Sequence, residues 1–483
     1  MTRVRGSLRA LVSLFLLVTA TTQSAPAAPV IPAPVPRAVC GPGAIPESGV
    51  QGRVTAADLQ AGTGFRCNLE MIGHTGTLAG FRTHRYIDQA GHECAFYDSS
   101  PYFQTRPNSS FSDPEVTGTH VLDMSHPASP TKTAELDTPA MRSPHESLSI
   151  NYKRGLLASD LGNLVTGPGF VDIYSIKEDC LHPALMASLP TGLIGHEGTF
   201  SPDGNTFWVS AGAGAYINDL AGRSRLSDVG SLVALDVSNP RVPRPVWASG
   251  TYAIHGLNIS ADGNTLYGAD LGMTRGLVVL DISKIQSRAP VPTVTRISHL
   301  TWDTVSLPQT PIPVTIGGHP YLVEVDEFTH DTIGNFFHNK KMTRPEDMVG
   351  AARIIDIANP RAPFVVSDIR LEVNQPGARA GAQSSDPGAN TATGYAAHYC
   401  AVPRATDPKI VACSFILSGL RVFDIRDPFH PKEIAYFNPP SDTKTAYNAM
   451  SAAAFVPERS EIWYTDANYG FYVLKANLPA IWP

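Results

Sequence analysis

The chain has few charged residues and no cluster of basic ones. Charged side chains make up 17% of its 483 residues, and 37 Lys and Arg against 43 Asp and Glu give a formal net charge of −6. Nucleic acids and anionic lipid surfaces are bound by concentrated positive charge. The composition therefore excludes both from the expected partners.

Long hydrophobic runs are also missing beyond the first thirty residues, so the sequence predicts no membrane span, which needs about 20 apolar residues. Near the start, three arginines precede the apolar run Ala10 to Ala20, and small and Pro-rich residues follow it. This order is typical of a secretory signal peptide. We expect cleavage after Ala20 or Ala27, hence a leader over 1–27 and an exported protein, secreted or held in the cell envelope.

The common catalytic signatures are missing as well. The sequence contains no Gly-x-Ser-x-Gly, no His-Glu-x-x-His, no P-loop and no Cys-x-x-Cys. A nucleophile-elbow hydrolase, a zincin-type protease and a P-loop nucleotidase are therefore not indicated.

The six cysteines are expected to form disulfides, since the protein is predicted to be exported. Cys400 and Cys413 flank a turn, and Cys67 and Cys94 bracket another compact stretch, so we predict these two bridges. Cys40 and Cys180 remain, either paired with each other or with a free thiol left over.

What the sequence does contain is a repeat, a short apolar strand that ends in Asp before a turn. Clear copies end at Asp123 (THVLD), Asp236 (SLVALD), Asp281 (GLVVLD), Asp356 (ARIID) and Asp424 (GLRVFD), and weaker copies carry Tyr174 (FVDIY) and Lys475 (YGFYVLK) in that place. A second motif alternates with it, His followed by Ser-x-Asp-Gly-Asn-Thr and an aromatic strand. It begins at His196 and at His255, with degenerate copies elsewhere.

A strand module repeated seven times predicts an all-β fold, a seven-bladed β-propeller of four-stranded antiparallel blades. We expect one propeller domain over 65–483, after a Pro/Ala-rich segment over 28–64. The C-terminal strand is expected to complete a blade begun near the N-terminus. Two stretches without periodicity, about 334–350 and 375–394, are interpreted as surface insertions.

The repeats SLVALDVSNPRVPRPV, ARIIDIANPRAPFVV and GLRVFDIRDPFHPKEIAYF resemble those of the exported bacterial LVIVD-repeat proteins, a β-propeller family. The resemblance covers roughly residues 65 to 475. It implies the propeller architecture and brings no settled activity, because propellers host many unrelated functions.

Four histidines are predicted at or near the start of the innermost strand of their blades, where that strand lines the central channel. They are His145, His196, His255 and His398. Imidazole is the commonest protein ligand for transition metals, so this ring predicts a site for one copper, zinc, iron or manganese ion. Glu146 and Glu197 each follow such a histidine and are expected to orient the imidazoles or to bind directly.

Glu327 is the fifth predicted ligand. Strand alternation places Glu324 and Asp326 on one face and Glu327 on the other, among valines, where a carboxylate is costly unless it is paired or bound to a cation. The alternative is that the strand ends at Asp326 and Glu327 lies in a solvated loop.

The histidines also have a structural interpretation. In many propellers such a histidine hydrogen-bonds within its own blade, here to residues such as Asp236, Asp270 or Ser210, and repetition in every blade favours that role. Convergence of the imidazoles within about 5 Å of one point would instead indicate a metal site.

Together these features favour a ligand- or protein-binding scaffold without catalysis. Its partner would be a protein, a glycan or a small molecule, bound at the channel mouth or on the inserted loops. The alternative is a metalloenzyme, oxidative or hydrolytic, with a His-ringed metal in the central channel.

Overall fold

The computed structural model describes residues 30–99, 118–160, 169–191, 195–211, 232–272, 274–328, 349–379, 394–439, 449–478 and 481–482. The predicted leader and most of both predicted insertions lie outside these residues. Within the described ranges, no helix has the length and apolar character that crossing a membrane requires.

The described chain folds into seven antiparallel sheets arranged as a ring, which confirms the predicted seven-bladed β-propeller. Two N-terminal strands, β1 (Phe65–Cys67) and β2 (Leu69–Thr75), come before the first blade. Blade 1 contains β3 (Thr83–Ile87), β4 (Glu93–Asp98), β5 (Thr119–Asp123) and β6 (Thr131–Leu136). Blade 2 contains β7 (Ser149–Asn151), β8 (Leu156–Asp160), β9 (Phe170–Ser175) and β10 (Ala184–Pro190).

The next three blades repeat this order. Blade 3 contains β11 (Glu197–Phe200), β12 (Thr206–Ser210), β13 (Leu232–Asp236) and β14 (Arg244–Ser249). Blade 4 contains β15 (Ile254–Ile259), β16 (Thr265–Asp270), β17 (Gly276–Asp281) and β18 (Thr295–Leu300). Blade 5 contains β19 (Leu307–Ile316), β20 (His319–Glu327), β21 (Ala352–Asp356) and β22 (Phe364–Ile369).

The last two blades take strands from both ends of the domain. Blade 6 contains β23 (Cys400–Ala401), β24 (Ile410–Phe415), β25 (Gly419–Asp424) and β26 (Lys432–Asn438), and β1 adds a fifth strand at its outer edge. Blade 7 contains β27 (Ala454–Val456), β28 (Glu461–Asp466) and β29 (Gly470–Ala476), and β2 is its outer strand. Pairing of β2 with β29 closes the ring and covers an edge that would otherwise be exposed.

The repeated Asp has a local reason. Its carboxylate accepts the backbone N–H two residues later, which fixes the turn that follows the third strand. This bond joins Asp123 to Ser125, Asp236 to Ser238, Asp281 to Ser283, Asp356 to Ala358 and Asp424 to Arg426, at 2.8 to 3.0 Å. The repeat is therefore a turn signal that recurs in five of the seven blades.

Apolar side chains fill the space between neighbouring blades. Between blades 2 and 3, for example, Ile173 and Phe207 are fully buried in one cluster, and Trp208 is buried in the next cluster, between blades 3 and 4. First strands of neighbouring blades contact one another, as β11 does with β15 and β15 with β19. These strands therefore surround the central channel.

Helices are few and short among the described residues. They are Ala56–Ala61, Ser283–Gln286 and Pro376–Arg379, with 3-10 turns at Glu372–Asn374 and Pro457–Arg459. The first helix begins at Thr55, whose hydroxyl accepts the Asp58 N–H in a capping box, and ends at Gly62, whose φ of 61° suits glycine.

Three disulfides join Cys40 to Cys67, Cys94 to Cys180 and Cys400 to Cys413. The third is the pair expected from its turn, whereas the predicted Cys67–Cys94 bridge is wrong. Cys67 ends β1 on blade 6 and Cys94 lies in β4 of blade 1, so the two belong to different sheets. Each instead meets a cysteine from the segment packed beside it. Disulfides are typical of proteins from an oxidising compartment.

Candidate metal site in the central channel

Six acidic and imidazole side chains from five blades meet in the channel. His145 and Glu146 precede β7, His196 precedes β11, His255 lies in β15, Glu327 ends β20 and His398 precedes β23. All but His196 are buried, and the His196 side chain is 12% exposed. The fold thus brings all five predicted site residues together, along with Glu146.

Glu146 is the centre of this group. Its carboxylate oxygens lie 3.0 Å from Nε2 of His196, 3.2 Å from Nε2 of His398, 3.5 Å from Nε2 of His255 and 3.9 Å from Nε2 of His145. The four imidazoles therefore converge on one carboxylate.

Glu327 reaches the same point. It is the last residue of β20 and is buried, so the solvated-loop alternative is wrong. Its carboxylate lies 3.1 Å from Nε2 of His398 and 3.5 Å from Nε2 of His255. The opposite-facing Glu324 and Asp326 pair with Arg353 away from the channel.

Two of the imidazoles have a fixed tautomer. Nδ1 of His255 lies 2.8 Å from the carbonyl oxygen of Pro308, and Nδ1 of His398 lies 2.7 Å from that of Met450. A carbonyl only accepts, so each Nδ1 carries the proton and donates it to the chain of the following blade. Each Nε2 faces the cluster, and Nε2 of His255 is 2.7 Å from Nε2 of His196.

These bonds do not match the structural interpretation that kept each histidine in its own blade. Asp236 instead binds Arg244, and Asp270 lies 3.2 Å from His299. The hydroxyl of Ser210 donates to the backbone carbonyl of His255 rather than to its ring.

The electrostatics of the cluster favour an ionised Glu146. Burial raises the pKa of Glu146, but the neighbouring His196 and His145 outweigh it and hold that pKa well below its usual range. Burial lowers the pKa of His145 and of His255. For His398, burial also acts to lower the pKa, but the bonds to Glu146 and Glu327 raise it to about 10. Positive charge is thus stabilised between the two carboxylates.

A second layer of polar residues holds Glu146 in place. Gln309 donates from Nε2 to its Oε1 at 2.7 Å, and Arg82 donates from Nε to its backbone oxygen at 3.0 Å. Arg82 also pairs with the fully buried Glu197, and its guanidinium lies 4.3 Å from the ring centre of Tyr399. Glu197 therefore neutralises Arg82 instead of joining the imidazoles.

His145 has a backbone φ of 52°, in the left-handed region that a residue with a side chain rarely adopts. Its ring lies 4.5 Å from that of His196 and 4.6 Å from that of Phe81. Such conformations cluster at functional sites, where the surroundings over-determine them.

Gly256 makes room for this second layer. A Cβ there would lie 1.7 Å from Oε2 of Glu197 and 2.1 Å from the carbonyl oxygen of Gln309. We expect Gly256→Ala to lower the free energy of unfolding by about 1 to 3 kcal/mol, because β15 must move away from β19. Urea denaturation measures this change. Gly49→Ala is the matched control, since its Cβ meets nothing within 4 Å; equal stability of both variants would contradict the prediction.

One further channel histidine lies outside the cluster, and two residues that support Glu146 were not predicted from the sequence. The histidine of blade 1, His84, lies outside the cluster, and its Nε2 is 2.8 Å from the carbonyl oxygen of Leu148. Gln309 and Arg82 were not identified as supporting residues, since neither belongs to a repeated motif. A separate His/Asp group, Asp88, His92 and Asp179, lies beside the Cys94–Cys180 disulfide.

Comparison with known proteins shows no family for this chain. No protein-family model matches the chain, and no curated protein matches it. The resemblance to LVIVD-repeat proteins therefore stays a prediction.

Many solved structures match most of the chain at low identity. Hydrazine synthase of Kuenenia stuttgartiensis is 12% identical with a TM-score of 0.46, over 84% of this chain and 97% of that one. The periplasmic gluconolactonase of Pseudomonas aeruginosa is 13% identical with a TM-score of 0.47, over 73% and 85%. The propeller domain of Cps50 from Myceliophteria thermophila is 11% identical with a TM-score of 0.48, over 84% and 99%. With TM-scores below 0.5, these matches support no conclusion about this chain.

Proposed function

We propose that the chain is an exported metal-dependent enzyme whose transition metal is held in the central channel of the propeller. The ligands are His196, His255, His398, Glu146 and Glu327, with His145 beside them. Among the two interpretations of the sequence, the channel geometry favours this one over a scaffold without catalysis. The chemistry is that of a Lewis acid or a redox centre, oxidative or hydrolytic.

One observation carries the proposal, the direction in which the imidazole Nε2 atoms point. Because Nδ1 of His398 donates to a backbone carbonyl, its Nε2 faces carboxylate oxygens 3.1 and 3.2 Å away. A nitrogen in this position holds either a proton or a metal cation between itself and the carboxylates. A histidine that donates from one ring nitrogen to a carbonyl and points the other at a buried acidic group is typical of a metal ligand.

The donor spacing supports the same conclusion. Two ligands about 2.1 Å from one ion are about 3.0 Å apart at a right angle and about 3.4 Å apart at the tetrahedral angle. The contacts of Glu146 and Glu327 with His196, His255 and His398 range from 3.0 to 3.5 Å. These donors need little movement to surround an ion.

The ligand set favours a catalytic ion over a structural one. Structural zinc sites are closed and rich in cysteine, whereas all six cysteines here form disulfides. Imidazoles and carboxylates suit zinc, copper, iron and manganese. The partly exposed His196 gives the cluster an approach from solvent.

Elemental analysis of the protein, purified from an exporting host without a His tag or chelators, tests the metal. We expect at least one equivalent of copper, zinc, iron or manganese per chain, retained through gel filtration. In the double variant His196→Ala, His255→Ala, which removes two ligands from different blades, we expect the metal content to fall by at least one equivalent while the far-ultraviolet spectrum stays unchanged.

A matched double variant controls for histidine removal. His182 is exposed and His319 is half-buried, and both lie outside the cluster, so His182→Ala with His319→Ala should keep the metal. If the unmodified protein holds no metal even after reconstitution, or if both double variants hold it equally, the proposal is wrong.

Catalytic use of the ion requires an open coordination position. Water-proton relaxation of the Mn²⁺-loaded protein measures this directly, because a bound exchanging water accelerates relaxation. Enhanced relaxation supports an enzyme, and a value no higher than that of a coordinatively closed Mn²⁺ complex would leave the ion a structural role.

A further inference from the structure

We infer that the channel is built for two metal ions bridged by Glu146 and Glu327, an inference that rests on the proposed metal site and concerns its nuclearity. The inference comes from how the four carboxylate oxygens are distributed among the imidazoles. Each carboxylate directs one oxygen to one group of histidines and its other oxygen to a different histidine.

Glu146 divides its oxygens between the two sides. Oε2 lies 3.0 Å from Nε2 of His196 and 3.5 Å from Nε2 of His255, whereas Oε1 lies 3.2 Å from Nε2 of His398. The carboxylate therefore spans the space between the histidines of blades 3 and 4 and the histidine of blade 6.

Glu327 divides its oxygens in the same way. Oε1 lies 3.5 Å from Nε2 of His255, and Oε2 lies 3.1 Å from Nε2 of His398. Two carboxylates from different blades thus run side by side between the same two groups of imidazoles. This is the arrangement that two bridging carboxylates have in a dinuclear centre, where the ions lie about 3.5 to 4 Å apart.

The first position, the His196/His255 subsite, has four donors: Nε2 of His196, Nε2 of His255, Oε2 of Glu146 and Oε1 of Glu327. The second, the His398 subsite, has Nε2 of His398, Oε1 of Glu146 and Oε2 of Glu327. His145 is the nearest further imidazole to the His398 subsite, with Nε2 3.9 Å from Oε1 of Glu146.

Mutually close donors among the described residues also form two sets that share Glu146, although His145 is grouped there with His196 and His255 belongs to neither set. His145, Glu146 and His196 form one set of mutually close donors, and Glu146, Glu327 and His398 form another, with Glu146 common to both. An ion bound to the His196/His255 subsite uses one oxygen of each carboxylate and leaves the other two oxygens facing His398. Those two oxygens lie 3.1 and 3.2 Å from Nε2 of His398, as donors to one ion do, so the three atoms form a second set of ligands.

Charge is consistent with two ions. Two divalent cations bring four positive charges against the two bridging carboxylates, because Glu197 is already paired with Arg82. The remaining charge favours an anionic ligand such as hydroxide between the ions. The substrates that fit such a centre are small molecules with an oxyanion or a polarisable carbonyl group.

The experiment loads the metal-free full-length protein with Zn²⁺ for stoichiometry and with Mn²⁺ for magnetic coupling. We expect two zinc equivalents per chain after gel filtration, and an exchange-coupled Mn²⁺ pair in the low-temperature electron paramagnetic resonance spectrum. One zinc equivalent with the six-line spectrum of isolated Mn²⁺ overturns the pair and leaves the proposed function intact. No retained zinc or manganese overturns both.

Single substitutions then assign the subsites. His398→Ala removes the imidazole of one subsite and His196→Ala removes one of the two imidazoles of the other, so each should lower the zinc content from two equivalents to one and abolish the coupling. The control His319→Ala should keep two equivalents and the coupled spectrum. Two coupled ions in either channel variant would contradict the assignment, and stoichiometry of the unmodified protein tests the pair whether or not a variant folds.

Discussion

Replacing Glu146 by glutamine is expected to weaken metal binding more than about 100-fold. Loss of an outer hydrogen-bond partner of a metal ligand already costs 10- to 100-fold, and Glu146 contacts all four imidazoles directly. The amide keeps the size of the side chain but removes its negative charge. Competition between the protein and a chelating dye for Zn²⁺ measures the affinity.

The control for this substitution is Glu135→Gln, which makes the same chemical change on the partly exposed strand β6 of blade 1. It should bind Zn²⁺ as the unmodified protein does. Equal affinities for Glu146→Gln and the unmodified protein would show that the carboxylate is not a ligand. Thermal unfolding of both variants without metal separates lost affinity from lost structure.

The architecture could be predicted from the sequence because the blade is a local unit. Its Asp motif fixes a turn through one side-chain bond to the residue two positions later, as from Asp236 to Ser238. That signal is visible in a single copy, and its repetition gives the number of blades. The disulfide pairing could not be predicted from local sequence alone, because Cys67 and Cys94 are near in sequence but belong to blades 6 and 1.

The candidate site was predictable in part for the same reason. His196 and His255 begin copies of one motif, so they occupy equivalent places in adjacent blades, and their convergence follows from the symmetry of a propeller. Glu327 was predictable because alternation along its strand places this carboxylate on the face that otherwise carries valines. The central position of Glu146 was not predictable, because it depends on the conformation before β7, where His145 has its left-handed backbone.

The channel also links site and stability. Each donor comes from a different blade, and the imidazoles of His255 and His398 bond to the chain of the following blade. An ion held between them would connect blades that otherwise meet only through neighbours. Bound metal should therefore stabilise the closed ring as any ligand of the native state does.

Blade 5 contains a second buried charge cluster, which serves packing rather than chemistry. Arg353 is fully buried opposite Glu324 on the neighbouring strand, and its Nη2 lies 2.8 Å from Asp326. Its guanidinium stacks 4.0 Å from the ring centre of Trp302. Burial raises the pKa of Glu324 well above its usual value, and Arg353 opposes that shift.

Arg353→Ala is expected to lower the free energy of unfolding by about 3 to 5 kcal/mol, because it leaves the acidic side chains of Glu324 and Asp326 buried without their hydrogen-bonding cation. Urea denaturation at neutral pH measures the loss. Arg244→Ala is the matched control. Arg244 forms an ion pair with Asp236, and its side chain is 73% exposed. We therefore expect the free energy of unfolding to change by about 1 kcal/mol or less. A similarly small change for Arg353→Ala would mean that water or a rearranged strand compensates the buried carboxylates, and the cluster would then not hold blade 5 together.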